Sequence, residues 1–179
     1  MISLKIDREK KIHTRNIKIA TFAYDDAHIL VEGELNDNRI IPNFSHTGDV
    51  LPPGNIHHML IRLLIDIESI RIVQVEIDMP GIPHQACPET IPVFAKLKGL
   101  RIAPGFTSKV RKIIGGAKGC AHLSGLLMAM ASAALQGLWT YRASNRQGAE
   151  DIEATAKEYL VDTCWVWRKD GPLVEELLK

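Results

Sequence analysis

Cysteine is scarce in this chain, with three residues, Cys87, Cys120 and Cys164, in 179. They are widely spaced, odd in number and without a Cys-x-x-Cys pair, which is not the pattern of a secreted disulfide framework. The charged start MISLKIDREKKIHTR has no apolar run of signal-peptide length. We therefore expect a cytoplasmic protein whose cysteines are free thiols or metal ligands.

Aromatic residues and an excess of either charge are also lacking. Aromatic residues make up 6% of the chain, and 22 basic residues face 21 acidic ones, for a formal net charge of +1. Balanced charge gives no general attraction to nucleic acid or to an anionic membrane, and few rings leave little surface for base stacking. We expect neither partner. A small-molecule or protein partner remains open, and the sequence does not decide the oligomeric state.

Long hydrophobic runs are lacking as well. The longest, Leu123 to Leu138, is interrupted by serine, glycine and glutamine, and is too short to cross a bilayer. The chain is nevertheless 46% hydrophobic, which is typical of a globular protein. We predict one domain over residues 1–179.

The first half of the chain has the period of β-strands. Alternating apolar residues predict strands over 16–26, 28–35, 59–66 and 70–79. Residues 1–15 are predicted to be an arm or an edge strand, and LNDNR (35–39) is predicted to be a turn. These features indicate an antiparallel β-meander of about four strands.

The second half changes to a helical period. CPETIPVFAKLKG predicts a short helix, Thr107 or Ser108 can cap a second one, and 121–141 predicts a long helix rich in alanine and methionine. A charged amphipathic pattern predicts a further helix from about 149, within a C-terminal helical element over 150–179. The predicted fold class is α+β, with three to four helices packed on one face of the sheet.

Cys120 and His122 stand at the start of the long helix, in GGAKGCAHLSGLL. Free N–H groups at a helix N-terminus stabilise a thiolate, which favours both metal binding and nucleophilic attack. With Cys87 and Cys164 they form a Cys₃His set, and zinc and iron–sulfur sites need three or four such ligands. Two other readings stay open: Cys120 as a small buried residue, and Cys120 as a nucleophile with His122 or His58 as its base.

Two further groups of residues have side chains that could belong to a binding or catalytic site. His57 and His58 are adjacent in a predicted strand and therefore point to opposite faces, so at most one of them joins any site. His13 with Arg15 offers a small basic group, which can bind an anion or simply be solvated.

Three segments carry a family resemblance: HHMLIRLLID, GLRIAPGFTSKVRKIIGGAKGCAHLSGLL and DTCWVWRKDGPLV. Together they resemble a bacterial family catalogued only as a domain of unknown function, over about His13 to Val174. This resemblance implies no activity.

The order of elements also resembles the NifU/IscU-type iron–sulfur scaffold proteins. In that family a strand meander precedes a cysteine loop, a second cysteine precedes a small-residue helix, and a third follows some forty residues later. Here Cys164 follows Cys120 by 44 positions, and an extra helical segment, about 89–114, separates the first two cysteines. The resemblance implies Cys87, Cys120 and Cys164 as cluster ligands.

Together these observations predict a small cytoplasmic protein with a cysteine-centred metal site in an accessory or scaffold role. The site would hold zinc or an iron–sulfur cluster, with Cys87, Cys120, His122 and Cys164 as its ligands. Two alternatives remain: a small-molecule-binding module or thiol-dependent enzyme, and a structural or partner-binding domain without a cofactor.

Overall fold

A four-stranded antiparallel sheet forms the centre of the fold. The computed structural model describes residues 4–144, 154, 156, 157 and 159–177. The strands are β1 (His13–Ala23), β2 (His28–Arg39), β5 (Gly54–Asp66) and β6 (Ile72–Gly81), in the spatial order β1-β2-β5-β6. A small two-stranded ribbon, β3 (Asn43–Phe44) with β4 (Val50–Leu51), extends from the chain between β2 and β5.

The helices follow the sheet in sequence. A 3-10 helix spans Cys87–Leu97, α1 spans Phe106–Ile114, α2 spans Ala121–Ser144, and a short C-terminal helix spans Pro172–Leu177. Short 3-10 turns lie at Arg8–Lys10 and Gly116–Lys118. The predicted α+β class and the antiparallel meander are confirmed.

Several predicted boundaries were wrong. LNDNR (35–39) is the end of β2 and not a turn. Of the segment predicted to be an arm or an edge strand, the residues from His13 onward belong to the edge strand β1. The Cys87–Leu97 segment is a 3-10 helix with Pro92 inside it, where proline removes a backbone donor and disfavours a regular α-helix. Much of the helix predicted from about 149 lies outside the described residues, and 160–167 forms turns.

The long helix α2 covers one face of the sheet. Its inner side buries Leu123, Leu126, Leu127, Met130, Ala134 and Leu138. Gly33 of β2 lies under Met130, and the Arg142 side chain at the other end of α2 donates to the Ile67 carbonyl at 2.6 Å. The helix therefore runs antiparallel to β2, and its N-terminus lies over the C-terminal end of that strand.

By length and composition alone, α2 is apolar enough to cross a membrane. In this fold, however, its most apolar side chains are buried between the helix and the sheet, including Leu126 and Met130 at 0% exposure. That arrangement is the one expected of an amphipathic helix that packs one side against a sheet.

Two glycines in α2 give a matched test of this packing. A methyl group added at Gly137 would lie 2.4 Å from Thr21 Oγ1, whereas one added at Gly125 meets no atom within 4 Å. Gly125→Ala should raise the free energy of unfolding by up to about 1 kcal/mol through helix propensity. Gly137→Ala should lower it by about 1–3 kcal/mol through overpacking. Urea denaturation measures both, and equal stabilisation by the two variants would contradict close contact of α2 with β1.

Candidate functional site

Three polar side chains form a row across the sheet beneath the start of α2. Arg15 of β1 pairs with Asp37 of β2, which pairs with His57 of β5. Asp37 follows the buried positions Ile29, Val31, Gly33 and Leu35 of β2 at two-residue spacing. Side chains two apart on a strand share a face, so the row lies on the face that α2 covers. A β-bulge follows between Asp37 and Asn38, and bulges are common beside functional sites.

Asp37 is the centre of the row. Its side chain is 2% exposed. Arg15 donates through Nε and one terminal nitrogen to the two carboxylate oxygens, each at 2.6 Å. His57 Nδ1 lies 3.1 Å from Oδ2. Chiefly through its hydrogen bond with Arg15, the pKa of Asp37 is held below its ordinary value, so the carboxylate is ionised at neutral pH.

His122 reaches this row from the first turn of α2. Its Nε2 lies 3.7 Å from Oδ2 of Asp37, the same oxygen that His57 contacts. The His122 and His57 rings stack with their centroids 3.7 Å apart and an interplanar angle of 30°. Burial first, and then electrostatic interactions with His57 and Arg15, lower the pKa of His122 from its ordinary value of 6.5, while Asp37 opposes the shift. His122 is therefore a neutral imidazole at pH 7.

Cys120 lies on the other side of the His122 ring. Its Sγ is 3.8 Å from Nδ1 of His122, and the residue is half-buried against the core. Its carbonyl accepts the Ser124 N–H at 2.9 Å, which places Cys120 at the N-terminal end of α2. His122 thus has the thiol at one ring nitrogen and the Asp37 carboxylate near the other.

His13 stands at the rim of the site. It pairs with Arg39 across the β1–β2 ladder, and its Nε2 is 3.7 Å from Oδ1 of Asp37. The side chain is 43% exposed, so it borders both the site and solvent.

The structure brings together some, not all, of the residues predicted as ligands. Within the described part of the chain, the metal-ligating atoms that gather within 4.8 Å of one another belong to Asp37, His57 and His122. Cys87 is half-buried at the start of the 3-10 helix and Cys164 is exposed among turns; both are free thiols, as is Cys120. The set of Cys87, Cys120, His122 and Cys164 stays a prediction.

His58 lies on the opposite face of the sheet from His57. Its Nε2 is 2.9 Å from Oε1 of Glu34. The prediction that the two histidines point to opposite faces is confirmed. Of the two bases named for Cys120, His122 is the one in contact with the thiol.

Sequence reasoning missed Asp37, and it named Arg15 in a basic group with His13 and not as the partner of a carboxylate. Asp37 lies in LNDNR, whose composition indicates a turn, and Arg15 lies in the segment predicted to be an arm or an edge strand. The missed signal is the alternation of β2, which continues through Gly33 and Leu35 to Asp37. A carboxylate at one of the alternate strand positions that face the core indicates a buried ion pair or a binding site.

The comparisons with known proteins agree with the first predicted resemblance. A search of curated proteins and a search of solved structures found no match, and the resemblance to NifU/IscU-type scaffolds is not confirmed. A family model described as "Protein of unknown function (DUF2889)" matches residues 13–136. That range contains Arg15, Asp37, His57 and His122 and ends before Cys164. Because this match spans most of the chain, the protein belongs to the DUF2889 family.

Proposed function

We propose that this protein binds one divalent transition-metal ion, with zinc the expected ion, through Asp37, His57 and His122. The observation that carries the proposal is the convergence of His57 Nδ1 (3.1 Å) and His122 Nε2 (3.7 Å) on one carboxylate oxygen. Imidazole nitrogen and carboxylate oxygen are ligands of zinc and of neighbouring first-row ions. The setting we propose is the cytoplasm, where the three thiols stay reduced.

The protonation states support this assignment. Metal ligands must be deprotonated carboxylates and neutral imidazoles. The pKa of Asp37 and that of His122 are both lowered, so at neutral pH each group is in the form that binds a cation.

Packing and charge balance alone do not account for the cluster. Arg15 already neutralises Asp37 with two hydrogen bonds. The stacked imidazoles of His57 and His122 lie beside that pair, where His122 is partly removed from water. If both rings were protonated, their positive charges would repel each other. A cation shared by both rings gives these groups a common partner.

The surroundings of the three ligands have the features of an outer shell. Arg15 fixes the orientation of the Asp37 carboxylate, and Cys120 contacts the ring nitrogen of His122 that faces away from Asp37. Outer partners of this kind orient a ligand and tune its affinity. Because Arg15 shares the carboxylate, we expect zinc affinity below that of closed structural sites. Three protein ligands would leave a fourth position for water or a small ligand.

Zinc titration of chelator-treated protein tests the proposal. We expect one zinc ion per chain by calorimetry or by competition with a coloured chelator, and a rise in Tm with zinc. Protein that takes up no zinc, cobalt or iron would rule out the site. Metal bound with undiminished affinity by a variant lacking Asp37 and His57 would point instead to the predicted set of Cys87, Cys120, His122 and Cys164, which shares His122 with this site.

A thiol-dependent enzyme is the second candidate. Cys120 Sγ, the His122 ring and Asp37 Oδ2 follow one another at 3.8 and 3.7 Å. A nucleophile, a base and a group that orients the base have this order, and such contacts are often long in unliganded proteins. Arg15 and His57 hold Asp37 in place for the same role.

Alkylation with iodoacetamide distinguishes this second candidate. If His122 activates the thiol, Cys120 should react faster than exposed Cys164, and His122→Ala should slow it by about 10²-fold or more. Mass spectrometry of the modified peptides measures both rates. A slower reaction at Cys120 than at Cys164 would exclude an activated thiol.

A further inference from the structure

A small, mainly apolar pocket adjoins the site described above. It has a volume of about 250 Å³. The pocket lies where the ends of β1, β2 and β5 meet the start of the ribbon. It is lined by Ile12, His13, Arg39, Ile41, Asn43 and Ile56. This volume is just below the usual range of about 300–1,000 Å³ for ligand pockets, so the occupant must be a small molecule.

The pocket lies on the same face of the sheet as Asp37, His57 and His122, which we call the Asp37 cluster. His13 and Arg39 are cross-strand partners two residues from the Arg15–Asp37 pair, and side chains two apart share a face. His13 lines the pocket and also lies 3.7 Å from Asp37. The two features are therefore neighbours, although they consist of different residues apart from His13.

Arg39 supplies a fixed positive charge at this pocket. Its Nε and one terminal nitrogen donate to the Pro52 carbonyl at 3.0 and 2.7 Å. This backbone contact holds the guanidinium between β2 and the ribbon without neutralising it. Among the described residues no carboxylate forms an ion pair with Arg39, so its charge is available to an anion.

Two of the apolar wall residues are open to solvent. Ile12 is 64% exposed and Ile41 is 48% exposed. Clustered exposed apolar side chains typically mark a binding surface. Arginine is well suited to carboxylate recognition because its planar N–H groups match the two carboxylate oxygens.

From these contacts we infer that the pocket binds a small monocarboxylate with a short apolar chain. The carboxylate contacts Arg39, and the chain lies among Ile12, Ile41 and Ile56. This inference does not depend on metal binding at Asp37, His57 and His122.

Ligand comparison on the unaltered protein is the primary test. Chelator-treated protein is titrated with hexanoate, hexanamide and hexylamine, and amide NMR shifts report the affinity and the location. Hexanoate should bind saturably and shift signals of the ribbon and of residues 39–41. Its two analogues should bind at least about tenfold more weakly, because they lack the charge-assisted hydrogen bonds to arginine. Equal binding of hexanoate and hexanamide, or no saturable binding in the millimolar range, would overturn the inference.

A matched pair of arginine variants locates the carboxylate contact. Arg39→Met should weaken hexanoate about tenfold or more and leave hexanamide unchanged. Arg71→Met is the control, since Arg71 is also an arginine bonded to a backbone carbonyl, that of Gly99 at 2.7 Å, and does not line the pocket. Equal effects of the two substitutions on hexanoate affinity would contradict the inference. If Arg39→Met does not fold, the comparison of the three ligands on the unaltered protein still tests it.

Zinc-free conditions separate this inference from the metal proposal. Hexanoate should bind the chelator-treated protein and His57→Ala as it binds the zinc-treated protein. Binding that requires zinc would place the carboxylate on the metal and overturn the Arg39 assignment. Failure of zinc binding with hexanoate binding retained would refute the metal proposal alone.

Discussion

His57→Ala is expected to lower zinc affinity by more than about 100-fold, because even outer-shell partners of metal ligands change affinity by about 10–100-fold and His57 is proposed as a direct ligand. His57 Nδ1 lies 3.1 Å from Asp37 Oδ2, and its ring stacks on His122. Removing it leaves two of the three proposed ligands. Competition with a chromophoric chelator measures the change.

His58→Ala is the matched control for that experiment. It removes the same side chain from the next residue of β5, on the opposite sheet face, where it contacts Glu34 at 2.9 Å. Its zinc affinity should equal that of the unaltered protein. Equal affinity of both variants would show that zinc does not bind at the Asp37 cluster.

Arg15→Met is expected to lower the free energy of unfolding by about 3 kcal/mol, the lower end of the range for removing one partner of a buried ion pair. Asp37 is 2% exposed, whereas Arg15 is 44% exposed, which moderates the loss. Zinc should then restore much of the stability, because Arg15 no longer competes for the carboxylate. Zinc at about 100 times its Kd would add about 2.7 kcal/mol. Urea denaturation with and without zinc measures both effects.

Arg62→Met provides the comparison on the open face of the sheet. Arg62 Nε lies 2.7 Å from Glu32 Oε2, with the two side chains 42% and 35% exposed. Exposed pairs contribute less than about 1 kcal/mol, so this variant should be nearly as stable as the parent and indifferent to zinc. A destabilised Arg15→Met that zinc does not stabilise would mean that Asp37 serves only as the partner of Arg15.

The Arg15 effect should also depend on pH in a defined direction. The pKa of Asp37 is lower in the folded protein than its ordinary value of 3.8. A carboxylate with a lowered folded-state pKa contributes stability that is present above its ordinary value and lost as the pH falls through the lowered one. The difference between the unaltered protein and Arg15→Met should therefore shrink below about pH 4.

Local patterns were sufficient for much of the fold. Two-residue alternation gave the four strands, because a strand with one buried face must alternate. The small apolar residues of 121–141 gave the long helix, and the glycines before Cys120 placed its start near the observed one. The turn predicted from local composition was wrong. Asn-Asp-Asn favours turns, yet residues 36–38 pair with β1 and β5.

The sequence by itself determined the α+β class, the antiparallel meander and the position of Cys120 and His122 at the start of a buried helix. Only the tertiary structure decided that Arg15, Asp37 and His57 meet beneath His122. Their meeting depends on strand register, since a shift of one residue would turn each side chain to the opposite face. Register is fixed by the burial of one sheet face, with α2 over β1, β2 and β5 and the 3-10 helix against β6, and no short stretch of sequence contains that information.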